Sequence, residues 1–294
     1  MNQRVRQSTG IPGLDPLLGG GLLPGTLTVV VGATGIGKSQ FGVQFAAAGG
    51  EQDGRRGIFF DMNARGDAQN QDEYARRMFD WSLTRVDPGV KPQLNTLFSP
   101  DRDHGDYLHV FDYHGRRVTR RDLEWEQWKE WQAELNTKLS RAIEYVYGNL
   151  CAGVRRVVID GIEPVGRPSD SIQLNLFEYI YHQVIHKDPE WVARDLFREK
   201  YRVNAEAIAE HTYDTKQVGC LLLYTSHEAM LEDLISRPLD EGDLLSGANT
   251  LIYFGKIREG VRISKAMYIA KHRGSACTDE IIPYTIDDNG ISVA

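Results

Sequence analysis

Cysteine is scarce in this chain: three among 294 residues, at Cys151, Cys220 and Cys277. They stand far apart with no metal-ligand spacing, which excludes a zinc ribbon or a disulfide-stapled scaffold. Cys151 and Cys220 sit in or beside apolar runs and read as small core residues. Excess positive charge is missing too. Lys and Arg number 34 against 41 Asp and Glu, a net charge of −7, which argues against a protein that coats nucleic acid. No apolar run approaches the length of a membrane span, and the opening Met-Asn-Gln-Arg-Val-Arg-Gln has no apolar stretch of the signal-peptide kind, so a cytoplasmic location away from membranes is expected. There is no internal repeat and no low-complexity tract. Apolar content of 41% and charged content of 26% are ordinary for a globular chain large enough to bury a full α/β core.

What the chain does have is concentrated in one string. Gly32-Ala33-Thr34-Gly35-Ile36-Gly37-Lys38-Ser39 is a complete G-x-x-x-x-G-K-[ST] phosphate loop. Its glycines let backbone N–H groups close round a polyphosphate, Lys38 supplies charge for the β- and γ-phosphates, and the Ser39 hydroxyl suits Mg²⁺. The context agrees. Thr26–Val31 is a β-branched run fit for a buried strand, and Gln40–Ala47 reads as the helix whose N-terminus faces the phosphates. No Asn-Lys-x-Asp string of the GTPase type occurs, so ATP is expected rather than GTP.

Further strands are predicted at 57–61, 107–113, 156–160 and 219–225, apolar enough to be central and parallel. Helical patterns separate them. The clearest covers Arg121–Tyr147, with Leu123, Trp128, Trp131, Leu135, Leu139, Ile143 and Val146 near three- and four-residue steps. Its Trp125, Trp128 and Trp131 read as packing residues before they read as a binding stripe. Alternating strands and helices imply a doubly wound sheet. Beyond it, 250–257, 261–271, 280–286 and 291–293 look like antiparallel strands joined by turns at Arg258-Glu259-Gly260 and Asp287-Asp288-Asn289-Gly290. Residues 8–25, dense in Gly and Pro, form a shaped loop with a short helical turn near Leu14–Leu18. Two segments resist the scheme. Residues 86–106 show no periodicity, and 165–216 is longer than one crossover needs and is expected to hold helices at 173–186 and 190–212.

A magnesium–triphosphate site needs a second acid at the end of a neighbouring strand. Asp160 closes Val157-Val158-Ile159 and precedes Gly161, the expected setting. Asp61 and Asp112 also end strands and remain open as alternatives, with capping or turn formation as their plainer role. Hydrolysis further needs a group to orient and deprotonate water. A carboxylate two or three residues past the second strand would be conventional, yet the chain reads Asp61-Met62-Asn63-Ala64 there. Asn63 can position water and cannot take its proton, while Asp61 serves only if the loop bends suitably. Slow hydrolysis, or almost none, is expected. His182 and His186 are four apart without a third metal ligand and read as ordinary helix residues. His227 follows a strand and stays open between a phosphate sensor and a loop residue. The cluster Arg116, Arg117, Arg120 and Arg121 is balanced by Asp122, Glu124 and Glu126 and reads as a solvated helix start.

Together these pieces resemble the KaiC/RadA branch of the RecA-like ATPases. Ser8-Thr9-Gly10-Ile11-Pro12-Gly13-Leu14-Asp15, Gly19-Gly20-Gly21 and Pro24-Gly25 look like the segment ahead of that family's phosphate loop. The loop itself matches at Gly32, Gly37, Lys38 and Ser39, and Val157–Asp160 is similar to the family's magnesium strand. Leu222–Ser226 resembles the sensor strand, and Ala270-Lys271-His272-Arg273-Gly274 resembles the Lys-x-Arg-Gly element, continued by 282–291. The resemblance covers about 8–65 and 150–294. It implies one RecA-like domain over 1–294 with a mostly parallel, doubly wound sheet and a C-terminal antiparallel extension, interrupted by insertions at about 67–120 and 165–216. It implies ATP with Mg²⁺, cradled by Gly32 to Gln40 with Ser39 and Asp160 holding the metal, Ser226 near the γ-phosphate, and rings, commonly hexamers, or filaments with ATP at the interfaces. Lys271 and Arg273 would then reach a neighbour's γ-phosphate. The family's catalytic glutamate falls on Asn63 and the adjacent position on Ala64. The tandem arrangement of the clock proteins is not expected, and autophosphorylation is not inferred. The insertions are the natural surface for a protein partner. Two other functions compete: a nucleotide-gated scaffold without useful catalysis, and a DNA-repair or recombination accessory ATPase. Against the latter, the loop after the sensor strand carries Glu228, Glu232, Asp233, Asp240, Glu241 and Asp243 against Arg237 alone, which repels phosphate backbones.

Overall fold

Among the described residues, ten strands make one sheet: β1 (Leu27–Gly32), β2 (Ile58–Asp61), β3 (Arg85–Val86), β4 (Tyr107–His109), β5 (Arg156–Ile162), β6 (Gly219–Thr225), β7 (Thr250–Glu259), β8 (Arg262–His272), β9 (Ile282–Asp287) and β10 (Gly290–Val293). Their spatial order is β10-β9-β8-β7-β1-β6-β5-β2-β4-β3. From β7 through β3 all pairings are parallel, and β8, β9 and β10 add antiparallel strands at one edge. This computed structural model describes residues 5–63, 71–111, 124–162, 172–236 and 247–293, without the side chains of 125, 127–135 and 172.

The central strands are apolar throughout because both faces are covered; every residue of β1, β2 and β5 is buried. A single helical turn, α1 (Leu14–Leu17), precedes β1. On one face Val30, Phe59, Val158, Leu221 and Leu223 pack under α2 (Lys38–Gln52) and α3 (Gln71–Phe79). On the other, Val29, Phe60, Ile159 and Leu222 pack under α4 (Trp125–Cys151), α5 (Ile172–Ile180), α6 (Pro189–Phe197) and the short α8 (Leu231–Ser236). The molecule is therefore doubly wound, as its alternating pattern predicts.

Differences from the sequence reading have local causes. Helix α2 runs on to Gln52 through Gly49 and Gly50. A side chain at Gly49 would meet the Arg55 carbonyl at 2.6 Å and the Arg156 side chain at 3.0 Å, so that glycine serves packing and does not end the helix. Strand β4 stops at His109; Asp112 and Tyr113 lie outside the described residues. The segment without periodicity contributes the edge strand β3 and a 3₁₀ turn at Leu94–Thr96. The single helix expected over 190–212 is two, α6 and α7 (Ala205–Glu210), because Arg198 adopts a φ of 50° directly after Phe197. Phe197 stacks on Phe98 at 5.9 Å and His211 stacks on Phe98 at 4.7 Å. The two predicted insertions thus pack against each other. Helix α4 begins at Trp125, and the tryptophan side chains and the Arg116–Arg121 cluster lie outside the described residues.

The Gly-rich opening is bound to the core by two hubs. Asp15 accepts bonds from the Ser8 hydroxyl (2.6 Å) and from the Thr9 amide (2.8 Å) and hydroxyl (2.6 Å). Arg156, wholly buried, pairs with Asp53 at 2.6 Å and donates to the carbonyls of Ser8 (2.6 Å) and Phe45 (2.9 Å) and to the Gln52 side chain.

Candidate nucleotide site

The phosphate loop joins the top of β1 to α2, with Gly35 at φ 78° and Gly37 at φ 113°. Gly32 has no room for a side chain, since a Cβ would lie 2.5 Å from the Phe254 carbonyl on β7. Lys38 is buried, and its ammonium donates to the carbonyls of Gly32 (2.8 Å) and Ala33 (2.9 Å). Thr34 and Gly35 are exposed at the loop tip, Ile36 and Gln40 buried beneath it. The first turn of α2 leaves backbone N–H groups without intrahelical acceptors, the feature that receives anions.

Two strands away, Asp160 on β5 meets this loop. Its Oδ2 accepts from Ser39 Oγ (3.1 Å) and Gln71 Nε2 (2.8 Å), and its Oδ1 accepts from the Gly161 amide (2.7 Å). Burial pushes its pKa up, while Lys38, the Gly161 amide, Ser39 and Gln71 oppose that shift. An amide cradle, a buried ammonium, a hydroxyl and an acid within hydrogen-bond distance of it form a donor set that fits a triphosphate and one hard cation. Mg²⁺ in such sites keeps several waters and needs few protein oxygens. Among the described residues no group of three or more His, Cys, Asp or Glu side chains is placed to hold a metal.

Asp61 stands beside Asp160 in register across β2 and β5. Its Oδ1 accepts from the Asn63 amide (2.8 Å) and carboxamide (2.7 Å), and its Oδ2 from the Tyr107 hydroxyl. Burial first, and then the charge of Asp160, raise its pKa to about 6. Asn63 is turned onto Asp61, and its carbonyl meets His109 Nε2 at 2.8 Å. Both residues are thus engaged with internal partners. Ser226 is buried at the end of β6, its amide donating to the Gly32 carbonyl at 3.0 Å and its hydroxyl to Glu228, one carbonyl away from Lys38. His227 is exposed.

Lys271 and Arg273 are not brought to this cradle. Lys271 opposes Leu251, which opposes Val29, whereas Gly32 opposes Phe254. The pair therefore lies at the other end of the sheet, roughly 10 Å below Gly32 along the strands. Between them His272 anchors the strand end: Nδ1 faces Thr250 Oγ1 at 2.9 Å and Nε2 faces the Leu18 carbonyl at 3.0 Å. Arg6 joins the same end through the carbonyls of Leu18, Gly21 and Gly274. The opening Gly-rich segment and the Lys-x-Arg-Gly element, 250 residues apart in sequence, are one structural unit.

Several contributors escape a sequence reading. The C-terminal hairpin braces the phosphate loop. Tyr284 donates to the Ile36 carbonyl at 2.7 Å, a side chain at Gly37 would meet Ile286 at 2.8 Å, and Gln44 bonds both backbone groups of Ile291. Gln71, Tyr107 and Glu228 carried no motif that would mark them.

The fold and this loop together define a RecA-like P-loop ATPase. The family model described as "ATPase: KaiC" matches residues 7–179, more than half of the chain. The protein belongs to the KaiC ATPase family. It is 37% identical over 293 residues to the circadian clock protein KaiC2 of Synechocystis, and 25% identical over 293 residues to the circadian clock oscillator protein KaiC of Synechococcus elongatus. It spans 98% of its own length in each alignment and only 40% and 44% of those relatives. A crystal structure of a KaiC-like protein from Pyrococcus horikoshii shares the fold, with a TM-score of 0.53 at 18% identity over 99% of both chains. Among the described residues no helix is long and apolar enough to cross a membrane.

Proposed function

We propose that this chain is a cytoplasmic ATPase that binds Mg-ATP at the interface between its own copies, in a ring such as a hexamer or in a filament, hydrolyses it slowly, and so acts as a nucleotide-controlled assembly or signalling component. The observation that carries the reading is the placement of Lys271 and Arg273. They sit too far from the phosphate loop of their own chain to serve it, and His272 and Arg6 hold their strand end in a fixed position. Cations so placed suit the γ-phosphate of another copy. Gly32–Gln40 bind the phosphates in this reading, Lys38 and Ser226 sit at the γ-phosphate, and Ser39 with Asp160 holds the metal. The metal supplies neutralisation of the β- and γ-phosphate charge.

Slow turnover is supported by the engagement of Asp61 and Asn63. Neither presents a free carboxylate to an attacking water, and the Asn63 amide cannot accept a proton. The same observation favours the second reading, a nucleotide-gated scaffold without useful catalysis. A DNA-repair role draws less support, because Glu228, Glu232 and Asp233 border the loop where a recombinase would need cations. The packed insertions would present the surface for a protein partner.

Subunit mixing tests the shared site. Lys38→Ala and Arg273→Ala should each abolish phosphate release alone, and a mixture should regain part of it, because a cradle from one variant meets a cation from the other. Arg273→Ala that keeps wild-type turnover and assembly overturns the interface assignment.

A further inference from the structure

We infer that Gln71 is a positioning residue of the magnesium–nucleotide site: its amide N–H aims the Asp160 carboxylate, and its amide oxygen receives a hydrogen bond from a water in the metal's shell. The inference rests on the Mg-ATP reading above and adds a residue that no motif supplies. Gln71 opens α3, in the segment expected to be an insertion, yet it is only 1% exposed. Its Nε2 donates to the same Asp160 oxygen that accepts from Ser39 Oγ. Its Oε1 is buried and has no hydrogen-bond partner among the described residues.

That last fact needs an explanation, because a buried amide oxygen left unpaired is costly and rare. The two ends of one amide are neighbours, so Oε1 lies within the span of one bridging water from Asp160 Oδ2, which Nε2 contacts directly. A water there would find the two or more polar partners it requires. Magnesium in phosphate sites keeps such waters, and groups that orient the ligand shell tune metal affinity. The Asp160 carboxylate is held on both oxygens, by Gly161 on one and by Ser39 and Gln71 on the other, which fixes its plane.

The test titrates Mg²⁺ against wild type, Gln71→Ala and Gln71→Leu with a non-hydrolysable ATP analogue, read by calorimetry, alongside analogue binding without Mg²⁺ and thermal melting. The Leu variant fills the same volume and keeps the measurement open should the Ala variant not fold. Both variants are expected to raise the Mg²⁺ midpoint about tenfold while Mg²⁺-free binding stays as in wild type. Unchanged midpoints in a folded variant overturn the inference, as does an equal loss with and without Mg²⁺, which marks a packing role. A wild-type chain that binds no analogue at any Mg²⁺ concentration overturns instead the nucleotide reading on which it stands.

Discussion

Replacing Gly161 by alanine should damage the site more than any other single methyl group. Gly161 follows Asp160 at φ 96°, where β5 changes register, and a Cβ there would lie 2.2 Å from the Asn63 nitrogen and 2.5 Å from the Met62 carbonyl carbon. Both are backbone atoms and cannot rotate away. The left-handed conformation alone costs about 1–2 kcal/mol for a residue with a side chain. The overlap further forces the ends of β2 and β5 apart and breaks the bond from Met62 N to the Asp160 carbonyl, 2.8 Å long, worth about 1 kcal/mol. With the displaced packing, a loss of about 3–5 kcal/mol is expected, within the range for steric and backbone mechanisms combined. In a chain of this size that is a fall in melting temperature of roughly 6–15 °C. Gly54→Ala is the control. Gly54 has a φ of 78° with nothing within 4 Å of its would-be Cβ, so it carries the conformational cost without the overlap and should lose only about 1–2 kcal/mol. Thermal melting of the two variants decides the matter. If Gly161→Ala melts no lower than Gly54→Ala, the close approach of the chain after β2 to Gly161 does not constrain the site.

Other outcomes follow from named contacts. Arg156→Met leaves Asp53 and two buried carbonyls without their donor and should cost about 3–5 kcal/mol; a chemical-denaturation midpoint equal to wild type would contradict its role as the tie between the opening segment and the core. Asn63→Glu should raise phosphate release if the missing carboxylate limits the rate, and an unchanged rate in a folded variant would locate the limit elsewhere. Because the folded chain holds the Asp61 carboxyl above its ordinary value, it binds that proton more tightly than the unfolded chain does. The group's contribution to stability therefore falls as pH rises from about 4 to about 6. Asp61→Asn should flatten that limb in denaturation midpoints measured across the range, and an unaltered slope would refute the assignment.

The parallel core was legible because buried strands leave continuous apolar runs: β5 and β6 fall within two residues of their expected ends, and Asp160 was marked by the run it closes. The phosphate loop was legible because its glycines and lysine are fixed by chemistry. Interruptions and long-range polar contacts were not. Nothing local announces the positive φ at Arg198 that divides one expected helix into two, nor the stacking of Phe197 and His211 on Phe98 from a distant segment. Gln71 looks like any polar residue at a helix start until β5 brings Asp160 beside it. The bracing of Gly37 and Ile36 by Ile286, Ile291 and Tyr284 joins positions some 250 residues apart, beyond the reach of periodicity. The Lys271–Arg273 pair could be recognised as a motif, but only the strand register shows which end of the sheet it occupies.

The measurement closest to the central claim is the mass of the purified protein in solution with and without Mg-ATP. The account expects a multimer that depends on nucleotide and is weakened by Lys271→Ala and Arg273→Ala. A single species of one-chain mass in both conditions, with no heat of ATP binding by calorimetry, would contradict it.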